Sequence, residues 1–240
     1  MRVAVVGASG RTGSHVVSCV LDNPDHTLSA AVIDPNSSLV GTPVPGMKSP
    51  INYTFDIAHA ISVSDAIIDF SMPPVTQALV EFLSGHPIPV VIGTTGHSAE
   101  QRLKIENLGK LSPVLLSSNT SLGVYALLKL TGEASRLLKS DFEVEVVEAH
   151  HRGKIDAPSG TAKSIVESLD RGQKVPTHSI RAGDVVGTHH VYFYGDGEQI
   201  EITHRATSRR LFGIGALRLV EGLAKLSPGF YTPKDVYEIA

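Results

Sequence analysis

The chain has 240 residues, 42% of them hydrophobic and 19% charged, with a formal net charge of -3. That is the composition of an ordinary globular protein large enough for one large or two small domains, and it gives no reason to expect a nucleic-acid partner or a membrane partner. The single Cys19 excludes an internal disulfide, and the first residues already read as a strand, so we expect a cytoplasmic protein without a signal peptide.

The first element is a strand that leads into a glycine-rich turn and then a helix. The strand covers residues 3–6, and helical apolar spacing begins at Val16. The glycines follow the spacing G-x-x-G-x-x-G rather than the commoner G-x-G-x-x-G, but small residues at such a turn still let a pyrophosphate approach the helix N-terminus. We therefore predict that the turn binds a dinucleotide through Gly7, Ala8, Ser9, Gly10, Arg11, Thr12 and Gly13.

The second strand, residues 28–34, ends in Asp34. An acid about 20 residues after the glycine turn is expected in dinucleotide-binding units, because it accepts hydrogen bonds from the ribose hydroxyls. Strand, turn, helix, strand and terminal acid together favour a nucleotide site. The alternative is a glycine-rich corner that binds nothing.

Further strands are predicted at residues 66–70, 88–92 and 113–116, alternating with helices that end near Leu83 and Leu108, while residues 35–62 read as a loop with one short strand. This alternation predicts an α/β fold with a Rossmann-like, doubly wound parallel sheet. Ligands of such sheets bind beyond the carboxyl ends of the strands. The polar residues at these ends are expected to converge on the same cofactor crevice: Phe70, Ser71, Gly93, Thr94, Thr95, Ser117, Ser118 and Asn119.

After a long helix over residues 122–138 the pattern changes to strands at 142–147, 179–182, 189–194 and 200–204, with one helix among them. This grouping predicts a second, α+β domain built on an open mixed sheet. We place the first domain at residues 1–120 plus 214–240 and the second at 121–213. Apolar side chains expected on the free face of the second sheet suggest burial against another subunit: Val191, Phe193, Ile200 and Ile202.

The stretch from Glu148 to Ala162 concentrates polar side chains between a strand and a helix. Ser159 is a good N-cap, and the N–H groups of Gly160 and Thr161 at the positive end of the helix dipole would hold a carboxylate or phosphate. The alternative is a solvated basic loop. The adjacent His150 and His151 diverge, which is unsuited to chelation, and no metal-ligand spacing is found, so we expect no metal.

Read together, these segments resemble the dihydrodipicolinate reductase (4-hydroxy-tetrahydrodipicolinate reductase) family over essentially the whole chain. The most specific element is Glu148–Ala162, which is similar to the family's E-x-H-H-x-x-K-x-D-A-P-S-G-T-A signature at every fixed position. The resemblance implies reduction of a cyclic unsaturated dicarboxylate by NADH or NADPH, with loss of water, in the diaminopimelate route to lysine. It also implies a homotetramer built through the second sheet.

The resemblance further implies roles for the loop residues. His150 would donate the proton and Lys154 would bind and polarise the substrate, while His151, Gly160 and Thr161, beside Ser159, would hold a substrate carboxylate. Where the family often has an arginine beside the nucleotide-selecting acid, Asp34 is followed by Pro35-Asn36-Ser37. We therefore expect NADH to be used at least as well as NADPH, with only Arg11 near to meet a 2′-phosphate.

Two other functions stay open from the sequence. A different two-domain Rossmann reductase of amino or imino acids, such as an aspartate dehydrogenase-like enzyme, would explain the glycine turn but not the His-His-Lys loop. A protein that senses NAD(H) without turnover is the second alternative.

Overall fold

The computed structural model describes residues 1–47, 50–172 and 174–239. The chain forms two compact units, the first made of Met1–Thr120 with Arg210–Ala240 and the second of Ser121–Arg209. The return to the first unit comes slightly earlier than the expected residue 214, because the last long helix begins at Arg210.

The first unit is built on a seven-stranded sheet in which every pair of neighbours is parallel. Its strands are β1 (Arg2–Val6), β2 (Thr27–Val32), β3 (Tyr53–Thr54), β4 (Ala66–Asp69), β5 (Val90–Ile92), β6 (Pro113–Leu116) and β11 (Gly229–Tyr231), in the order β11-β6-β5-β4-β1-β2-β3. The runs of Val, Ile and Ala suit strands that are covered on both faces. The predicted doubly wound parallel sheet is confirmed.

Helices cover both faces of this sheet, and alternate residues of β1 show it. Val3 and Val5 belong to one hydrophobic core, and Ala4 and Val6 belong to another. The helices are α1 (Gly13–Asp22), α2 (Ile57–Ser62), α3 (Pro73–Gly85), α4 (Ala99–Leu108), α7 (Arg210–Leu223) and α8 (Pro233–Ile239). Among the described residues, no helix combines the length and the apolarity needed to cross a bilayer.

The predicted loop over residues 35–62 contains a helix that was not predicted. The six-residue α2 begins after Asp56, whose side chain accepts a hydrogen bond from the backbone N–H of His59. Lys48 and Ser49 of the same stretch lie outside the described residues. The short elements β11 and α8 were also not predicted, since three to seven residues show too little periodicity.

The second unit has a four-stranded sheet in the order β10-β9-β7-β8. Its elements are α5 (Leu122–Leu138), a 3-10 turn (Lys139–Asp141), β7 (Glu143–His150), α6 (Gly160–Leu169), β8 (Thr177–Arg181), β9 (Gly187–Gly195) and β10 (Glu198–Ala206). The β7–β8 pair is parallel and the other two pairs are antiparallel, which confirms the predicted mixed sheet.

The prediction about the free face of this sheet was wrong. Val191 and Phe193 are fully buried in the core that also contains residues of α5 and α6. Ile202 and Ile200 pair directly with these two residues, so all four lie on the face that the helices cover. Apolar alternation identifies residues that share a face, but not which face the helices cover.

The free face instead carries aromatic and charged side chains. Tyr192 stacks with both His190 and Tyr194. Glu145 contacts His178 through its carboxylate, and Glu201 contacts His190. Apolar exposure therefore does not indicate a subunit interface on this face.

Candidate active site

The glycine turn follows β1 and packs so tightly that two of its glycines cannot be replaced. Gly7 has φ +79°, and a Cβ atom there would lie 2.3 Å from the carbonyl oxygen of Phe70. A Cβ atom at Gly13 would lie 2.0 Å from the carbonyl oxygen of Gly7. The N-cap residue Thr12 makes no side-chain cap hydrogen bond to α1. The N-terminus of α1 is therefore formed by closely packed backbone without a capping side chain, an arrangement that suits a pyrophosphate.

A cavity of about 490 Å³ opens beside this turn. Of the predicted nucleotide residues, six line it: Gly7, Ser9, Gly10, Asp34, Phe70 and Ser71. Further apolar lining comes from Pro35, Phe55, Met72, Pro74 and Val75. Phe55 and Met72 are 57% and 65% exposed, respectively, and large apolar side chains this open are suited to contact a flat aromatic ring. This apolar part of the cavity was not predicted from the sequence.

Asp34 lies on the exposed turn that follows β2. Its carboxylate accepts a hydrogen bond from the backbone N–H of Asn36 at 2.7 Å, which fixes the turn. Arg11 is also exposed, whereas Ala8 is buried. Ala8 therefore contributes backbone and small size rather than a side chain that a ligand could touch.

The ends of β4 and β5 are joined by a buried carboxylate. Asp69 accepts hydrogen bonds from the hydroxyls of Thr76 at 2.6 Å and Thr94 at 3.0 Å, and from the N–H of Ser71 at 3.0 Å. Burial raises the pKa of Asp69, and these hydrogen bonds oppose that shift. A Cβ atom at Gly93 would lie 2.2 Å from the ring of Phe70. This network holds the two strand ends against each other.

The other predicted nucleotide residues lie at the same edge of the sheet but do not line the cavity. Thr95 and Ser118 are exposed. Ser117 donates its N–H to the carbonyl of Ile92 and its hydroxyl to the carbonyl of Asn119. Thr94 is 4% exposed and uses its hydroxyl internally, so it shapes the edge rather than facing a ligand.

In the second unit, the carboxyl end of β7 holds a buried ionic cluster. Glu148 is completely buried and receives two hydrogen bonds from Arg181 of β8, at 2.7 and 2.8 Å. Oε2 of Glu148 also lies 2.5 Å from Nδ1 of His150, and the backbone N–H of Ser159 donates to Oε1 of Glu148 at 3.2 Å. His150 is the last residue of β7, whereas it was expected in the loop that follows the strand.

The charges in this cluster shift several pKa values. Burial alone raises the pKa of Glu148, but hydrogen bonds from Arg181, Ser179 and His150 outweigh it and lower the pKa to about 2. Burial lowers the pKa of His150, and Glu148 opposes that shift. Burial also lowers the pKa of His189, to about 3. The cluster thus contains a firmly ionised carboxylate and a neutral histidine on either side of the His150 ring.

The loop after β7 presents a lysine that is already paired. The Lys154 ammonium lies 2.8 Å from the carboxylate of Asp156, and its side chain is 23% exposed. The backbone N–H of Lys154 donates to the carbonyl of His151, which closes the turn. Ile155 is 99% exposed beside it.

The first turn of α6 has the predicted cap. The hydroxyl of Ser159 accepts a hydrogen bond from the N–H of Ala162 at 3.2 Å and also contacts Nε2 of His189 at 3.2 Å. Ser159 is 2% exposed, so the prediction that it contacts a substrate is not supported by its position. Gly160 is exposed, and no atom lies within 4 Å of a Cβ built there. Gly160 and Thr161 are the first two residues of α6, the position at which helix N–H groups can bind an anion.

Two residues of the cluster were missed in the sequence. Arg181 falls inside a predicted strand, and its partner Glu148 is far away in the sequence but close through the parallel pairing of β7 with β8. His189 was predicted only as the first residue of a strand, although its ring lies 5.2 Å from the ring of His150, centre to centre. No local spacing connects either residue to the loop.

Comparisons with known proteins identify the family of the chain. Models of the dihydrodipicolinate reductase N-terminus and C-terminus match residues 1–120 and 123–237. A 4-hydroxy-tetrahydrodipicolinate reductase from Hahella chejuensis (strain KCTC 2396) is 38% identical, covering 98% of each chain. The chain belongs to the dihydrodipicolinate reductase family. The resemblance stated from Glu148–Ala162 is thereby confirmed.

Solved structures extend the comparison to the fold. A dipicolinate-bound dihydrodipicolinate reductase from Paenisporosarcina sp. TG-14 matches with a TM-score of 0.79 and 21% identity, over 97% of each chain. The aspartate dehydrogenase from Thermotoga maritima matches with a TM-score of 0.50 and 13% identity, over 93% of this chain and 96% of that one. The fold is thus shared with a protein named for a different activity, so the fold alone does not define the substrate.

Proposed function

We infer that the protein reduces 4-hydroxy-tetrahydrodipicolinate to tetrahydrodipicolinate with NADH or NADPH, with loss of water, in the diaminopimelate route to lysine. One proton is consumed, and one water is released, for each nucleotide oxidised. The observation that carries this proposal is the group at the end of β7 in a chain of this family: His150 held by a buried carboxylate, beside Lys154 and the first turn of α6.

Lys154 and the first turn of α6 supply the positive charge that a dianionic substrate needs. We assign one substrate carboxylate to the N–H groups of Gly160 and Thr161, with His151 beside them. Lys154 is held at 2.8 Å from Asp156 and can exchange that exposed partner for the substrate. Preorganised cations of this kind stabilise charge that develops during the reaction.

His150 delivers the proton that the carbanion formed by reduction requires. Its Nδ1 is engaged with Glu148, so Nε2 is the nitrogen that can face the substrate. General acid catalysis of this type contributes roughly 10²–10⁴-fold to a rate. The acid is effective only while His150 is protonated, so activity is expected to fall as pH rises through its pKa.

The glycine turn and its cavity fit a pyridine dinucleotide. The backbone of Gly7, Gly10 and Gly13 would hold the pyrophosphate, and Phe55 and Met72 would contact the adenine. When bound, the dihydronicotinamide supplies the hydride. We propose that NADH serves at least as well as NADPH, because Asp34 accepts from ribose hydroxyls but repels a 2′-phosphate. Arg11, exposed on the turn, would weaken this preference.

Two further proposals rest on the family resemblance. We propose a homotetramer, with the free face of the second sheet as the subunit contact, now through its stacked tyrosines and ion pairs rather than through apolar side chains. We also propose a cytoplasmic location, where the nucleotide and the other enzymes of the route are available.

The test is turnover followed at the nicotinamide absorbance, with the unstable substrate generated in place by the synthase that makes it. We expect oxidation of NADH that depends on the synthase and is lost in Lys154→Ala. The dehydrogenase alternative would be favoured if the enzyme reduced the oxidised nucleotide with aspartate or another amino acid and did not turn over the dicarboxylate. Nucleotide binding without turnover of either substrate would favour the sensor.

A further inference from the structure

The buried carboxylate of Glu148 determines which nitrogen of His150 can carry the exchangeable proton. Three backbone or arginine N–H groups already donate to Glu148, from Arg181 twice and from Ser159 once. An ionised carboxylate only accepts hydrogen bonds, so the Nδ1 of His150 at 2.5 Å has to be a donor. The neutral ring therefore has its hydrogen on Nδ1, and the proton that His150 gains or loses is on Nε2.

Nε2 of His150 lies beside Gly187, which has no side chain to cover it. A Cβ atom built at Gly187 of β9 would be 3.1 Å from Nε2, which is closer than most such contacts. Among the described residues, none forms a hydrogen bond to Nε2. Glu148 thus orients the ring so that its titrating nitrogen is next to the glycine backbone.

Arg181 connects this carboxylate to the catalytic loop. Besides its two hydrogen bonds to Glu148, its Nη2 donates to the backbone carbonyl of Asp156 at 2.6 Å. Asp156 is also the partner of Lys154. A single guanidinium therefore fixes the carboxylate that holds His150 and the loop segment that holds Lys154.

We propose that Glu148 and Arg181 are positioning residues for the proton donor: Glu148 fixes the tautomer and orientation of His150 and favours its protonated form, and Arg181 keeps Glu148 in place and anchors the loop at Asp156. Neither residue needs to touch the substrate. The proposal rests on the assignment of His150 as the proton donor.

The charged and titratable groups around His150 predict that substitutions of Glu148 and of Arg181 shift the titration of His150 in opposite directions. Glu148 on β7 favours the imidazolium, while Lys154 on the loop and Arg181 on β8 disfavour it. His189 on β9, which itself faces His204 on β10, is neutral near pH 7. Glu148→Gln removes the favourable charge and Arg181→Gln removes an unfavourable one. A loss of packing alone has no reason to move the titration of His150 in opposite directions.

The experiment measures kcat/KM against pH for the wild type, Glu148→Gln and Arg181→Gln, since this profile reports the acid of the free enzyme. We expect kcat/KM of Glu148→Gln at pH 7.5 to fall at least tenfold, with its descending limb shifted down by about one pH unit, so that part of the activity returns at lower pH. For Arg181→Gln we expect reduced activity with the limb shifted up. Glu133→Gln, which breaks an exposed Glu–Arg pair on α5, is the control and should keep the wild-type profile.

A second readout does not need turnover. Titration of the 13C-labelled His150 ring by NMR, assigned with His150→Gln, should show the same shifts in the same directions. If the wild type lacks turnover, the proposed function fails, while the NMR titration still tests the positioning. Unshifted limbs and an unshifted His150 titration in both variants would overturn it. If Glu148→Gln does not fold, the direction of the shift in Arg181→Gln decides alone.

Discussion

The His189→Gln variant is expected to lose less stability than the wild type when the pH falls from 7 to 5. His189 is 3% exposed, and burial together with the nearby His150 lowers its pKa from 6.5 to about 3. The folded state therefore keeps His189 neutral where the unfolded chain would protonate it. The stability that this provides is fully present above pH 6.5 and is lost as pH falls from 6.5 toward 3.

The magnitude follows from the linkage of protonation to folding. Within this window a group that is protonated only in the unfolded chain costs about 1.4 kcal/mol per pH unit. From pH 7 to pH 5 the contribution of His189 is about 2 kcal/mol, because the titration of the unfolded chain begins near pH 6.5.

The assay is urea denaturation followed by circular dichroism at pH 7 and pH 5, at one protein concentration. Glutamine can still offer a partner to the hydroxyl of Ser159 but does not titrate. We expect His189→Gln to lose about 2 kcal/mol less than the wild type over this interval, whereas His86→Gln, at an exposed position, should lose as much as the wild type. An equal loss in His189→Gln and the wild type would refute the reasoning.

Three further outcomes are expected. Lys154→Ala and His150→Ala should each lower kcat on the order of 10²-fold or more. KM should rise more for Lys154→Ala, while NADH affinity, measured by fluorescence, should stay unchanged in both variants. Near-normal kcat in both variants would contradict the catalytic assignment. Initial rates with NADH should equal or exceed those with NADPH, and Asp34→Asn should narrow the difference, since a charged hydrogen bond is worth roughly 1.5–3 kcal/mol; a clear NADPH preference of the wild type would refute the role of Asp34. Pyridine-2,6-dicarboxylate should compete with the substrate in steady-state kinetics, because it is planar and doubly anionic; competition with the nucleotide instead would place the anion site elsewhere.

The strands and long helices of both units could be predicted because their periodicity extends over enough residues. The bounds of β6 and α5 agree with the predicted ranges. The short α2 could not be predicted, since six residues after Asp56 carry no clear pattern. The face of Val191 and Phe193 was assigned wrongly because alternation is symmetrical between the two sides of a strand.

The local parts of the site were also readable from the sequence, whereas its long-range contacts were not. The N-cap Ser159 and the glycine turn depend on neighbouring residues, so spacing identifies them. The pairing of Arg181 with Glu148 depends on which strands become neighbours, and the contact of Ser159 with His189 depends on where β9 lies. Such contacts require the three-dimensional register.

The split composition of the first unit has a consequence for synthesis. Its sheet ends with β11, and its α1 is packed against α7, in which Gly213 approaches Cys19 closely. Both elements come from the last part of the chain, after all of Ser121–Arg209. On the ribosome, the second unit has its whole sequence available while the first still lacks a strand for the edge of β6 and a cover for α1. A nascent chain that stops at Arg209 would expose that apolar surface, so chaperone binding to stalled chains should concentrate on residues 1–120.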